Sequence, residues 1–110
     1  MKMTVKELAD KCSFKICTLP DGEREINGAY MGDLLSWVMG RARENNAWIT
    51  IMSNVNTIAV ASLADVSCVI LSEGVVLDDE LTKTAHEKNI NVLISTVPSY
   101  ETAVLIKEYI

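Results

Sequence analysis

With 110 residues, 49% of them hydrophobic and 23% charged, the chain has the size and balance of one globular domain whose core needs no metal or disulfide. Its formal net charge of −5, from 15 acidic against 10 basic residues, lacks the basic footprint of a nucleic-acid binder and disfavours an anionic membrane surface. Cys12, Cys17 and Cys68 are odd in number and form no CxxC pair, so they point to reduced thiols in the cytoplasm rather than to a disulfide framework or a zinc site.

The start of the chain is amphipathic, without the apolar core of a signal peptide, and no run approaches the ~18 apolar residues that span a membrane. Thr4 is placed to cap a first helix reaching about Lys11, with Val5 and Leu8 on one face. Phe14, Ile16 and Thr18 alternate with Lys15 and Cys17, as in a short half-buried strand, and Leu19-Pro20-Asp21-Gly22 is a turn. Ile26 to Met31 reads as a second strand. Gly28 weakens it unless a bulge or close backbone approach needs a residue without a side chain.

From here the pattern is regular. Asp33 is expected to cap a helix to about Glu44, followed by a buried strand over Trp48–Met52. Ser53-Asn54 opens a helix to about Asp65, and Cys68–Leu71 is the next strand. Asp78 caps a helix to about Asn89, with Asp79 and Glu80 in its first turn, where the helix dipole favours negative charge. Val92–Ile94 is the last strand, and Ser99 caps a closing helix to Tyr109. Such alternation predicts an α/β fold, three layers with a mainly parallel sheet of four or five strands. The first strand is expected to lie antiparallel at an edge, because its link to the second is too short for a crossover helix. With no linker, the whole of 1–110 reads as a single domain.

Two helices are more apolar than a sheet-covering helix requires. Thr57–Ala64 carries no charge around its circumference, and Ala59, Ala61, Ser62 and Ala64 are small. Such a helix is either enclosed within its own domain or presses an outer face on a second copy. Ile58, Ala61 and Ser62 are the interface candidates, and a homodimer is the expectation. In the Asp33–Glu44 helix, Leu34, Leu35, Val38, Met39 and Ala42 fill one face, with Trp37 at its margin and Arg41 one turn on. Trp37 and Arg41 either stack along the edge of the core or anchor an interface.

No catalytic set can be assembled. His86 is the single histidine and sits in a charged, surface-type helix. There is no phosphate-binding glycine loop of either common type, and Asp78-Asp79-Glu80 is accounted for by a helix start. No metal, cofactor or enzymatic activity is implied. Open parallel sheets bind ligands beyond the carboxyl ends of their strands. Those ends offer Gly32, Asp33, Ser53, Asn54, Asn56, Ser72, Glu73 and Thr96, beside helix N-termini that favour anions, so a nucleotide or phosphate is the candidate ligand.

The stretch Glu23-Arg24-Glu25-Ile26-Asn27-Gly28-Ala29-Tyr30-Met31-Gly32-Asp33-Leu34-Leu35 resembles the signature of the DRTGG domain. Val69–Gly74, Leu81, Ala85 and Asn89–Thr96 also resemble that family, and the amino-terminal domains of bacterial HPr kinase/phosphorylases. Glu23 and Asn27 depart from it, standing where Asp and Thr are common. The resemblance implies an accessory domain of the kind found beside phosphotransacetylase, HPr kinase and CBS-type pyrophosphatase modules. It supports a mainly parallel three-layer fold, self-association and a regulatory role toward a metabolic enzyme or signalling protein, and it supplies no catalytic residue.

Overall fold

The structure is a computed structural model that describes residues 2–110. Its elements in chain order are α1 (Val5–Cys12), β1 (Lys15–Thr18), β2 (Gly28–Met31), α2 (Leu35–Arg41), β3 (Asn46–Thr50), α3 (Val55–Ala64), β4 (Cys68–Leu71), α4 (Asp79–Glu87), β5 (Val92–Ile94) and α5 (Ser99–Lys107). The strands form one sheet in the order β1-β5-β4-β3-β2. Four are parallel, and β1 runs antiparallel to β5 at one edge. The expected α/β class and antiparallel edge are therefore present, but the edge has a different cause. β1 and β2 are not neighbours: they occupy opposite edges, and residues 19–27 pass the amino ends of the parallel strands from one to the other.

Strand alternation divides the core between two faces. Trp48, Val69, Leu71 and Val92 pack on one side with Val38 of α2, Ile58 and Ala61 of α3, and Ala85 of α4. Ala47, Ile49, Cys68, Ile70 and Leu93 pack on the other with Val5 and Leu8 of α1 and Ile106 of α5. Central strands covered on both faces are apolar throughout, which explains the unbroken run Cys68-Val69-Ile70-Leu71.

Several helix ends follow from local chemistry. Thr4 Oγ1 accepts from the Glu7 amide at 3.1 Å while Glu7 returns a bond to the Thr4 amide at 2.9 Å, a reciprocal cap. Those bonds hold the Glu7 carboxyl below its ordinary pKa. Asn54 caps α3 by accepting from the amides of Asn56 and Thr57, and Asp78 caps α4 by accepting from Leu81. Ser13 and Asp65 close α1 and α3 in the left-handed conformation, at φ 57° and 55°.

Other boundaries depart from expectation. Asp33 does not cap α2. Its carboxylate accepts instead from Thr50 Oγ1 at 2.8 Å and the Ile51 amide at 2.9 Å, across the ends of two strands. The helix starts two residues later, and Leu34 offers no side-chain cap. Ser99 is the first residue of α5 rather than its cap, and its hydroxyl lies 2.6 Å from that of Ser72. β3 begins at Asn46, a residue that reads as loop, because its side chain bonds to both Asn27 and the Arg43 amide. The second strand is shorter than expected: Gly28 starts it, and a Cβ there would lie 3.4 Å from Asn46 Nδ2, a close but ordinary contact.

Candidate functional site

The residues expected to line a ligand site all fall at one end of the sheet. Gly32 and Asp33 follow β2, Ser53, Asn54 and Asn56 follow β3, Ser72 and Glu73 follow β4, and Thr96 follows β5, all at the carboxyl end of the parallel strands. Hydrogen bonds stitch the segments together. Asp33 joins β2 to β3, the Ser72 amide donates to Thr50 O at 3.1 Å, and the Glu73 amide donates to Val97 O at 2.9 Å. Below them the indole of fully buried Trp48 donates to Gly32 O at 2.9 Å, and the hydroxyls of Ser95 and Thr102 lie 2.7 Å apart. Glu73 and Gly74 take the left-handed conformation in succession, at φ 62° and 71°. Glu73 has a side-chain penalty in that region and its side chain is exposed.

These bonds leave little for a ligand. Asp33, Asn54 and Ser72 are occupied within the domain, and among the described residues no buried side-chain nitrogen or oxygen lacks a partner. The electrostatics also differ from an anion site. Residues 31–35, 51–56, 72–80 and 96–101 carry Asp33, Glu73, Asp78, Asp79, Glu80 and Glu101 with no Lys or Arg. Free phosphates are drawn to helix N-termini lined with amides and cations; here carboxylates occupy the first turns of α4 and α5, and α2 and α3 bring no cation to theirs.

The interface candidates separate into two groups. Ile58 and Ala61 are buried in their own protomer's core, which corrects the expectation that they face outward: they share a side of α3 with Thr57 and Val60 and pack on the sheet. Ser62 is exposed, on a stripe with Val55, Ala59 and Leu63. On α2, Trp37 is exposed and the Arg41 guanidinium carbon sits 3.7 Å from its ring centroid, so the stacked pair lies on the surface and not along the core edge. Leu34 and Met39, assigned to the inner face by periodicity, are exposed as well.

His86 is exposed, and its Nδ1 lies 2.8 Å from the hydroxyl of buried Thr18. A bulge in β1 at Cys17 turns both Cys17 and Thr18 toward α4, a pairing that periodicity alone would not suggest. The cysteines are free thiols. Complete burial pushes the Cys68 thiol up to about 12, and partial burial with Glu108 nearby raises that of Cys12, so neither is poised as a nucleophile. Among the described residues no group of three His, Cys, Asp or Glu could hold a metal, and no helix is long and apolar enough to cross a membrane.

Three surface cavities lie apart from the expected site residues. One of about 980 Å³ borders α1 and β1, with Phe14 and Ile16 at its base and Lys2, Lys6, Glu7, Asp10, Glu23 and Glu25 around it. A second, of about 410 Å³, lies between β2 and α5, lined by Ala29, Met31, Ile49, Ala103, Ile106 and Ile110. The third, of about 440 Å³, separates the end of α1 from the end of α5. Sequence reasoning missed all three, since each is formed by segments far apart in the chain.

The fold and this site define a three-layer α/β domain with a hydrogen-bonded, carboxylate-rich strand end. It is similar, with a TM-score of 0.70 and 18% sequence identity, to a crystal structure of the CBS and DRTGG domains of the regulatory region of Clostridium perfringens pyrophosphatase, complexed with its activator diadenosine tetraphosphate. The match covers 94% of this chain and 45% of that one, so the chain spans less than half of the solved region. At that identity the likeness is one of fold, and the domain is DRTGG-like in that sense. No protein-family model matches the sequence, and no curated protein is significantly similar to it.

Proposed function

We propose that this chain is a non-catalytic regulatory or interaction module of the cytoplasm, which self-associates through the outer faces of α2 and α3 and serves a metabolic enzyme or signalling partner. One observation carries the reading. The two helices contain a single charged residue, Arg41, and expose Trp37 at 52% and Leu63 at 72%, with Ala59 between turns to admit a close neighbour. Exposed apolar surface with so little charge is costly to leave in water and is the usual mark of a contact site. The shared fold with a region named as regulatory supports the same conclusion.

Light scattering and sedimentation at tens of micromolar test it. The expected species is a dimer, and Leu63→Glu should weaken it by at least about tenfold while leaving the folded domain intact. Ala61→Glu, by contrast, places a charge in the core and should prevent folding. A wild-type monomer at these concentrations would remove this mode of action.

Nucleotide sensing is the second reading, favoured by the diadenosine tetraphosphate in the similar structure. Calorimetry against adenine nucleotides and sugar phosphates examines it. Binding that weakens in variants of Ser53, Asn56 or Thr96 would place the site at the strand ends, and no heat across the panel would retire it.

A further inference from the structure

The carboxyl end of the sheet has a second property that self-association through α2 and α3 leaves unused. Leu34, Ile51, Val76 and Tyr100 are each exposed, from 41% to 72%, and come from the segments that follow β2, β3, β4 and β5. The backbones of these segments are tied to one another where Asp33 accepts from Thr50 and Ile51 and where the hydroxyls of Ser72 and Ser99 meet. Around the apolar side chains stand exposed Glu73, Asp79, Glu80 and Glu101, and these four segments contribute no Lys or Arg. Lys15, which the β1–β5 register sets opposite Ile94, is the cation the register brings to this end.

Both features together select the occupant. A lipid surface or a free anion meets only carboxylates in these segments, so the nucleotide reading and this one exclude each other at this end. A small cation finds no converging set of three ligating groups among the described residues. A second copy meeting this end across a two-fold axis would set acid against acid. What remains is a partner that brings apolar side chains for Leu34, Ile51, Val76 and Tyr100 and positive charge for the surrounding acids.

We infer that this end of the sheet docks a basic, amphipathic segment of a partner protein. Its apolar residues cover the exposed ring, and its Lys or Arg side chains meet Glu73, Asp79, Glu80 and Glu101. The apolar contacts supply the affinity, and the charges supply selectivity and rate of encounter.

The test is a random peptide library, displayed on phage and panned against the full chain, with enriched peptides then measured by fluorescence anisotropy and mapped by amide chemical shifts. The expected result is enrichment of peptides with net positive charge and several large apolar residues, shifts centred on Leu34, Ile51, Val76 and Tyr100, and binding that weakens in high salt. Affinity should fall about tenfold in the double variant Val76→Ser/Tyr100→Ser, and also in Glu73→Lys, with thermal unfolding unchanged in both. Enrichment of neutral or acidic peptides, shifts confined to α2 and α3 or to the β2–α5 cavity, or no enrichment at all would each overturn the proposal. Because Leu63→Glu leaves this end untouched, a monomeric variant that still binds the peptides separates this outcome from the fate of the self-association reading.

Discussion

The two ends of the sheet are built from similar residues and used differently. At the amino end of the parallel strands, the crossing segment 19–27 consumes nearly every polar group it meets. Asn91 accepts from the Asp21 amide at 2.9 Å and donates to Asp21 O and Ser67 O at 2.8 and 2.9 Å. Arg24 donates to Asn45 Oδ1, to Asp65 O and to the Asp65 carboxylate. Asn45 and Asp65 are both in the left-handed conformation, and one guanidinium clamps the start of β3 to the end of α3. The carboxyl end is also hydrogen-bonded inside, but its rim is apolar and acidic and points to water. The lesson is that the first part of the segment resembling a family signature, Glu23 to Asn27, does structural work at one end, while the surface free to meet a partner lies at the other.

Substitutions at the two ends should therefore behave in opposite ways. The largest effect on stability is expected from Asn91→Ala, which strands buried partners on two segments and should cost about 3 kcal/mol in urea unfolding. Arg24→Ala should cost about 1–2 kcal/mol, mostly through Asn45 and the Asp65 carbonyl, since the Asp65 carboxylate is half exposed and its ion pair at 2.8 Å is screened. The same variant has a pH signature. The hydrogen bond from Arg24 holds the Asp65 carboxyl below its ordinary value of 3.8. That part of the stability is complete above 3.8 and fades as pH falls through the lower folded value, so the gap between wild type and Arg24→Ala should narrow in acid. The smallest effect belongs to the other end: Val76→Ser/Tyr100→Ser should change stability by less than about 0.5 kcal/mol, because both side chains are already in water. If the rim variants unfold the domain as readily as Asn91→Ala, the contrast between a structural end and a contact end fails.

Legibility followed the range of the interaction. The caps at Thr4, Asn54 and Asp78 were readable because donor and acceptor sit within three residues, and the strands Cys68–Leu71 and Val92–Ile94 because their apolar runs are bounded by polar turns. Asp33 and Ser99 looked like caps by the same rule, yet their oxygens found partners 18 and 27 residues away. For α3, the absence of charge was visible in the sequence, but which side faces the sheet was not. With small or apolar residues all round, periodicity has no polar face to orient by, and Ile58 and Ala61 turned inward.

The residues by themselves determined the order and type of the elements, the main helix caps and the apolar run of β4, since these depend on local propensity, short-range hydrogen bonds and composition. Only the tertiary structure decided that β1 and β2 lie on opposite edges, that Arg24 and Asn91 staple one end of the sheet, and that apolar side chains from four segments gather with carboxylates at the other. Those arrangements arise from pairings between distant segments, and the free energy that selects among them belongs to the assembled sheet rather than to any stretch of chain.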